Sequence, residues 1–111
     1  MKIVFYSTRN GKPIDKFINN LSKKDRARVV SCLKNVEELG FDCPRVQFRQ
    51  IKGKLWEIKI KSFSGGFRFF YVTLKLTTII LLHAYKKQSQ KAPQKEIDKA
   101  EKRMMEVLNN D

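Results

Sequence analysis

The chain is poor in the residues that mark metal, redox and secretory proteins. It has one histidine and two cysteines among 111 residues. Cys32 and Cys43 form no CxxC pair, and with His83 alone they cannot supply a zinc site. No metal and no cofactor is expected. Two cysteines are too few for a disulfide scaffold, and Cys32 falls on an apolar helix stripe, where a thiol usually packs. Long hydrophobic runs are also missing. MKIVFYSTR at the start meets charge too soon for a signal peptide, and TIILLHAYKK (78–87) is too short to cross a bilayer. These gaps point to a reducing, cytoplasmic protein with no membrane partner. No phosphate-cradling glycine loop, internal repeat or linker interrupts the chain, so one domain over residues 1–111 is expected.

Acidic residues are scarce too, and unevenly so. The formal charge is +13. Residues 1–51 carry eleven Lys/Arg against five Asp/Glu, residues 52–92 nine against Glu57 alone, and residues 93–111 four against five. The excess is densest in the stretch that reads as a sheet, which is where a polyanion would be held.

That stretch is a run of strands. LWEIKIK (55–61) alternates, with Glu57, Lys59 and Lys61 on one face and Trp56, Ile58 and Ile60 on the other. Trp56 is expected in the core. SFSGG (62–66) is a turn, FRFFYVTL (67–74) is apolar on both faces except for Arg68, and KLT (75–77) turns into TIILLHAYKK. Upstream, KIVFYS (2–7) is a short strand. Pro13 opens a helix with Ile14, Phe17, Ile18 and Leu21 on one side. Ser22 caps a second helix, with Asp25 three residues on, and Gly40 ends it. VQFRQI (46–51) is a possible edge strand. Pro93 opens a final helix with an Ile97, Ala100, Met104 and Leu108 stripe and an Asp98–Lys102 pair. The order β-α-α-(β)-β-β-β-α gives an α+β fold. An antiparallel-rich sheet packs on the N-terminal helical hairpin in two layers, with a C-terminal helix besides. Its second face is expected to stay open, as a surface on which RNA could lie.

A cationic sheet with one acid, one arginine, one histidine and one tyrosine suits phosphodiester chemistry without a metal. RNA brings its own nucleophile, the 2′-hydroxyl. The protein must hold the backbone, accept a proton and stabilise a charged phosphorane with fixed cations. The candidate catalytic set is Arg68, Tyr85, Lys59, Glu57 and His83; Lys52, Lys54, Lys61, Lys86, Lys87 and Lys91 are candidate RNA contacts. Each has a plainer alternative. Arg68 and Glu57 would make an internal ion pair, with or without a phosphate role. His83 would be a packed, hydrogen-bonded strand histidine. Tyr85 would be an interface aromatic, and the lysine run a solvated tail.

At these residues the sequence resembles a known family. KGKLWEIKIK, GGFRFFYV and HAYKKQSQKAP, followed by a charged helix, are similar in order and spacing to the phage-derived, HigB-like branch of the RelE/ParE toxin superfamily. The likeness covers about residues 45–108. It implies a RelE-like fold and the toxin of a type II toxin–antitoxin pair. Such a toxin is a metal-independent endoribonuclease that cuts mRNA, typically on the ribosome, and is neutralised by a helix-turn-helix, HigA-like antitoxin. By the same resemblance Arg68 would stabilise the scissile phosphate, and Tyr85 would stack on a base or assist proton transfer. Lys59 stands where many relatives carry arginine. Some members of the superfamily inhibit gyrase instead, which leaves a ParE-like toxin as one alternative. A non-catalytic RNA-binding module is another, though it would need exposed stacking aromatics, and most aromatics here read as buried.

Overall fold

The computed structural model describes residues 1–110. Strand β1 (Lys2–Phe5) leads into helices α1 (Pro13–Asn19) and α2 (Lys23–Leu39), followed by a 3-10 turn at Gly40–Asp42. Strands β2 (Gln47–Lys52), β3 (Leu55–Ser62), β4 (Gly65–Leu74) and β5 (Thr78–Lys86) then run in succession, and helix α3 (Gln94–Asn109) follows. One sheet contains all five strands in the order β1-β5-β4-β3-β2. β2 to β5 are antiparallel neighbours, as short turns require, and β1 pairs in parallel with β5.

The local signals do what their chemistry asks. Pro13 occupies the first turn of α1, where its missing N–H removes no helix bond. The Ser22 hydroxyl accepts from the Asp25 N–H at 3.2 Å and caps α2. Gly40 at the end of α2 has φ +63°, a conformation that costs glycine little. Asp98 departs from expectation: its carboxylate accepts from the Gln94 side chain at 2.8 Å, one turn back, and makes no ion pair with Lys102.

The layering corrects the sequence expectation. Ile14, Ile18, Val29, Cys32, Leu33 and Val36 of α1 and α2 pack on Ile58, Ile60, Phe67, Phe69, Tyr71 and Leu81, as expected. The second face is not open. Ala100 and Met104 of α3, with Ala92 before it, close over Leu55, Phe70, Val72, Leu82 and Tyr85. The fold is three layers deep where α3 lies. The reason is β4, whose residues Phe67–Val72 are all buried: a strand apolar on both sides needs cover on both. Trp56 is a second correction. It stands one rung past Ile58 toward the β2–β3 turn, outside either buried cluster, and is 36% exposed. Cys32 and Cys43 are both buried free thiols, and burial pushes the Cys32 thiol up. Among the described residues no helix is long and apolar enough to cross a membrane.

Candidate functional site

Strand register places the five catalytic candidates on one face. One rung across the sheet reads Gln47–Lys59–Arg68–Tyr85, and the next reads Arg49–Glu57–Phe70–His83. Residues two apart on a strand share a face, so both rungs point toward the α3 side.

At their centre is a buried ion pair. Arg68 is 1% exposed and Glu57 0%. Arg68 Nη1 donates to Glu57 Oε1 at 3.1 Å, and the same oxygen meets Arg49 Nη2 at 2.9 Å from the sheet edge. Arg68 Nη2 donates to the Gln90 carbonyl at 3.2 Å, tying the guanidinium to the segment before α3. Three buried side-chain atoms of the described residues have no hydrogen-bond partner: Glu57 Oε2, Arg68 Nε and Tyr85 Oη. All belong to this cluster. Buried polar atoms are normally paired, so three unpaired ones in a single cluster stand out from the rest of the described residues.

The cluster backs onto a cleft of about 660 Å³ at the end of the sheet that carries the β3–β4 turn. Its wall carries Arg45, Lys59, Lys61, Arg68 and Lys87, five cations and no acid. Gly65, at φ +143°, forms part of the rim; a Cβ there would meet the Lys86 side chain at 3.3 Å. Burial, then the neighbouring Arg49 and Arg68 charges, lower the Lys59 pKa, while Glu57 opposes them. Lys59 therefore gives up its proton more readily than an ordinary lysine.

The family described as phage derived protein Gp49-like (DUF891) matches residues 16–105, 90 of the 111. The chain belongs to this Gp49-like family of phage derived proteins. No curated protein matches it. The matched span takes in α2, β2 to β5 and most of α3, and so the whole cleft of this Gp49-like chain.

The structure divides the candidates. Lys59 and Arg68 line the cleft, and so do Lys61 and Lys87. Glu57, Tyr85 and His83 do not. Glu57 holds Arg68 from behind. Tyr85 lies under the α3 layer, 8% exposed and stacked on Phe70 at 5.6 Å, so its ring is covered in this fold and not presented to solvent for a base. Burial first, then Glu57, raises its pKa, and the phenol keeps its proton. His83 takes the plainer of its two readings. Its Nε2 lies 3.2 Å from Glu96 Oε1 and its Nδ1 3.4 Å from Arg103 Nη1, both on α3. Burial lowers its pKa, with Glu96 opposing. Lys52 and Lys54 flank the β2–β3 turn at the far end of the sheet, and Lys52 pairs with Glu101 at 3.3 Å. Lys86 packs over Gly65, and Lys91 is exposed beside the cleft segment.

Sequence reasoning missed Arg45, Arg49 and Asp25 as parts of the site. Arg49 was readable once Glu57 was on the neighbouring strand, since an alternating edge strand puts a cation opposite that acid. Asp25 carried only a helix-cap signal. In the fold it is buried and accepts from Ser62 Oγ at 2.6 Å, Ser64 N at 3.2 Å and Ser64 Oγ. The serine hydrogen bonds, Ser62 first, hold its carboxyl well below the usual range. One carboxylate thus fastens the β3–β4 turn to the start of α2.

Proposed function

We propose that this protein is the toxin of a type II toxin–antitoxin pair, acting as a metal-independent endoribonuclease on mRNA at the ribosome. The observation that carries the reading is the acid-free cationic cleft, with Arg68 locked into its wall by Glu57. Family membership supports it, since Gp49-like phage derived proteins are associated with RelE/HigB-like toxins. The cleft holds an RNA backbone by its phosphates. The Lys59 amine, in its unprotonated form, takes the 2′-hydroxyl proton, and the 2′ oxygen attacks the adjacent phosphorus. Arg68 and the wall ammonium groups stabilise the phosphorane charge. The bond from phosphorus to the 5′ oxygen breaks, a wall ammonium returns the proton, and a 2′,3′-cyclic phosphate and a 5′-hydroxyl leave. Glu57 and Tyr85 act through Arg68, as positioning residues. A helix-turn-helix antitoxin offers an acidic surface to the same cleft.

Induced expression in a bacterial host tests this, comparing wild type with Lys59→Met and Lys87→Ala. Growth arrest with cut mRNA, relieved in both variants at unchanged protein level, is the expected result. Arrest with DNA damage and intact mRNA would overturn the reading in favour of a gyrase inhibitor. Absence of arrest would overturn it in favour of a binding module.

A further inference from the structure

The tip of the β3–β4 turn presents an aromatic side chain to water. Phe63 is 72% exposed. Lys24 Nζ lies over its ring, 5.7 Å from the centre, and Arg28 Cζ does so at 6.0 Å, both reaching from α2, and a base would stack on the part of the ring they leave open. The turn is held in place on each side of the ring: Ser62 and Ser64 both donate to the buried Asp25 carboxylate. Arg28 Nε donates to the Lys61 carbonyl at 3.3 Å, which ties this cationic pair to a strand residue of the cleft wall. Leu76, at the opposite end of the sheet, is 85% exposed, but its side chain is aliphatic and offers a base no π face. An exposed aromatic face on a fixed turn, flanked by cations and continuous with a cationic cleft, has the components of a single-strand nucleic-acid platform.

We propose that Phe63 stacks on a base of single-stranded RNA leaving the cleft, that Lys24 and Arg28 hold the flanking phosphates, and that Asp25 is the positioning residue that fixes the ring. This rests on the cleft being an RNA site and extends the contact path by about one nucleotide beyond Lys61. Stacking accepts any base, because every base has a π face, so the platform selects single strands over duplexes rather than one sequence over another. The ring loses little freedom on binding, since its turn is already ordered.

The test is fluorescence anisotropy with a labelled 2′-O-methyl RNA 12-mer, which cannot be cut because its nucleophile is blocked, and with the matching duplex. Phe63→Ala should weaken single-strand binding about tenfold, a typical loss for one base stack, and leave duplex binding and the melting temperature unchanged. Phe63→Trp should bind as wild type or tighter, and Leu76→Ala should bind as wild type. Lys24→Ala should lower the slope of log K against log salt by about 0.7. Asp25→Ala should weaken single-strand binding as Phe63→Ala does, while a Phe63→Ala/Asp25→Ala double variant should lose little more. Wild-type affinity in Phe63→Ala, or equal losses on single strand and duplex, would overturn the platform and leave the cleft reading standing. A wild-type protein that binds neither RNA would overturn both.

Discussion

Glu57 is fully buried and divides one carboxylate oxygen between two guanidinium groups. An ion pair removed from water has an asymmetric energetic role: intact, it adds little over an apolar pair, but half of it is worse than none. Glu57→Ala would leave Arg68 as an uncompensated buried charge, since Arg49 is a cation as well. A loss of about 3–5 kcal/mol is expected, read from urea unfolding midpoints. Glu57→Leu combined with Arg68→Met should recover most of that stability, because no lone charge remains. The double variant should nevertheless be inactive in the growth-arrest assay, since the phosphate-binding cation has gone with it. Full activity in the double variant would make the pair purely structural. The sequence already offered this pair, because Glu57 is the one acid among residues 52–92 and Arg68 the one charged residue of an apolar strand. It could not show that both would be sealed beneath α3, since that depends on which face a distant helix covers.

Elements were legible where the signal is local. The β3–β4 and β4–β5 turns, the Pro13 and Ser22 helix starts and the edge position of β2 all follow from residues within a few places of one another. The stripe of Ile97, Ala100, Met104 and Leu108 showed that α3 buries one side, but an amphipathic pattern names no partner. Tertiary placement also decided Trp56, whose alternation gave the right face and the wrong depth. The β4–β5 turn carries a strain of its own. Lys75 and Leu76 adopt φ +53° and +62°, left-handed conformations that ordinary side chains resist. Lys75→Asn with Leu76→Gly supplies residues that accept those angles. The change should raise stability by about 0.5–1 kcal/mol, some 3–6 °C in melting temperature. The turn lies opposite the cleft, so RNA binding should not change. A lower melting temperature would show that the exposed leucine has packing that outweighs its backbone strain.

For the whole molecule, the formal charge of +13 sets how acid and salt act. Among the groups that titrate below pH 7, His83 and Asp25 have folded pKa values below their ordinary ones, and both make stability rise with pH. Burial holds His83 below 6.5, so the unfolded chain takes up that proton first. Its contribution is complete above about pH 6.5 and is lost as pH falls through 6.5 toward the folded value. Asp25 behaves the same way lower down: its hydrogen-bonded carboxylate contributes fully above its ordinary 3.8, and this is lost as pH drops below that. Added protons also raise a net charge that already repels itself. Urea midpoints should therefore fall in two steps, one as pH drops below about 6.5 and one below about pH 4. His83→Gln should flatten the first step and Asp25→Asn the second, each leaving the other in place. Moderate salt should lift the midpoints at low pH by screening the repulsion, while the same salt weakens RNA binding by competing for the cations of the cleft. A shared charge field therefore predicts opposite salt responses for folding and for binding, measured on one sample. Parallel responses would mean that the charge of the cleft is not what holds the RNA.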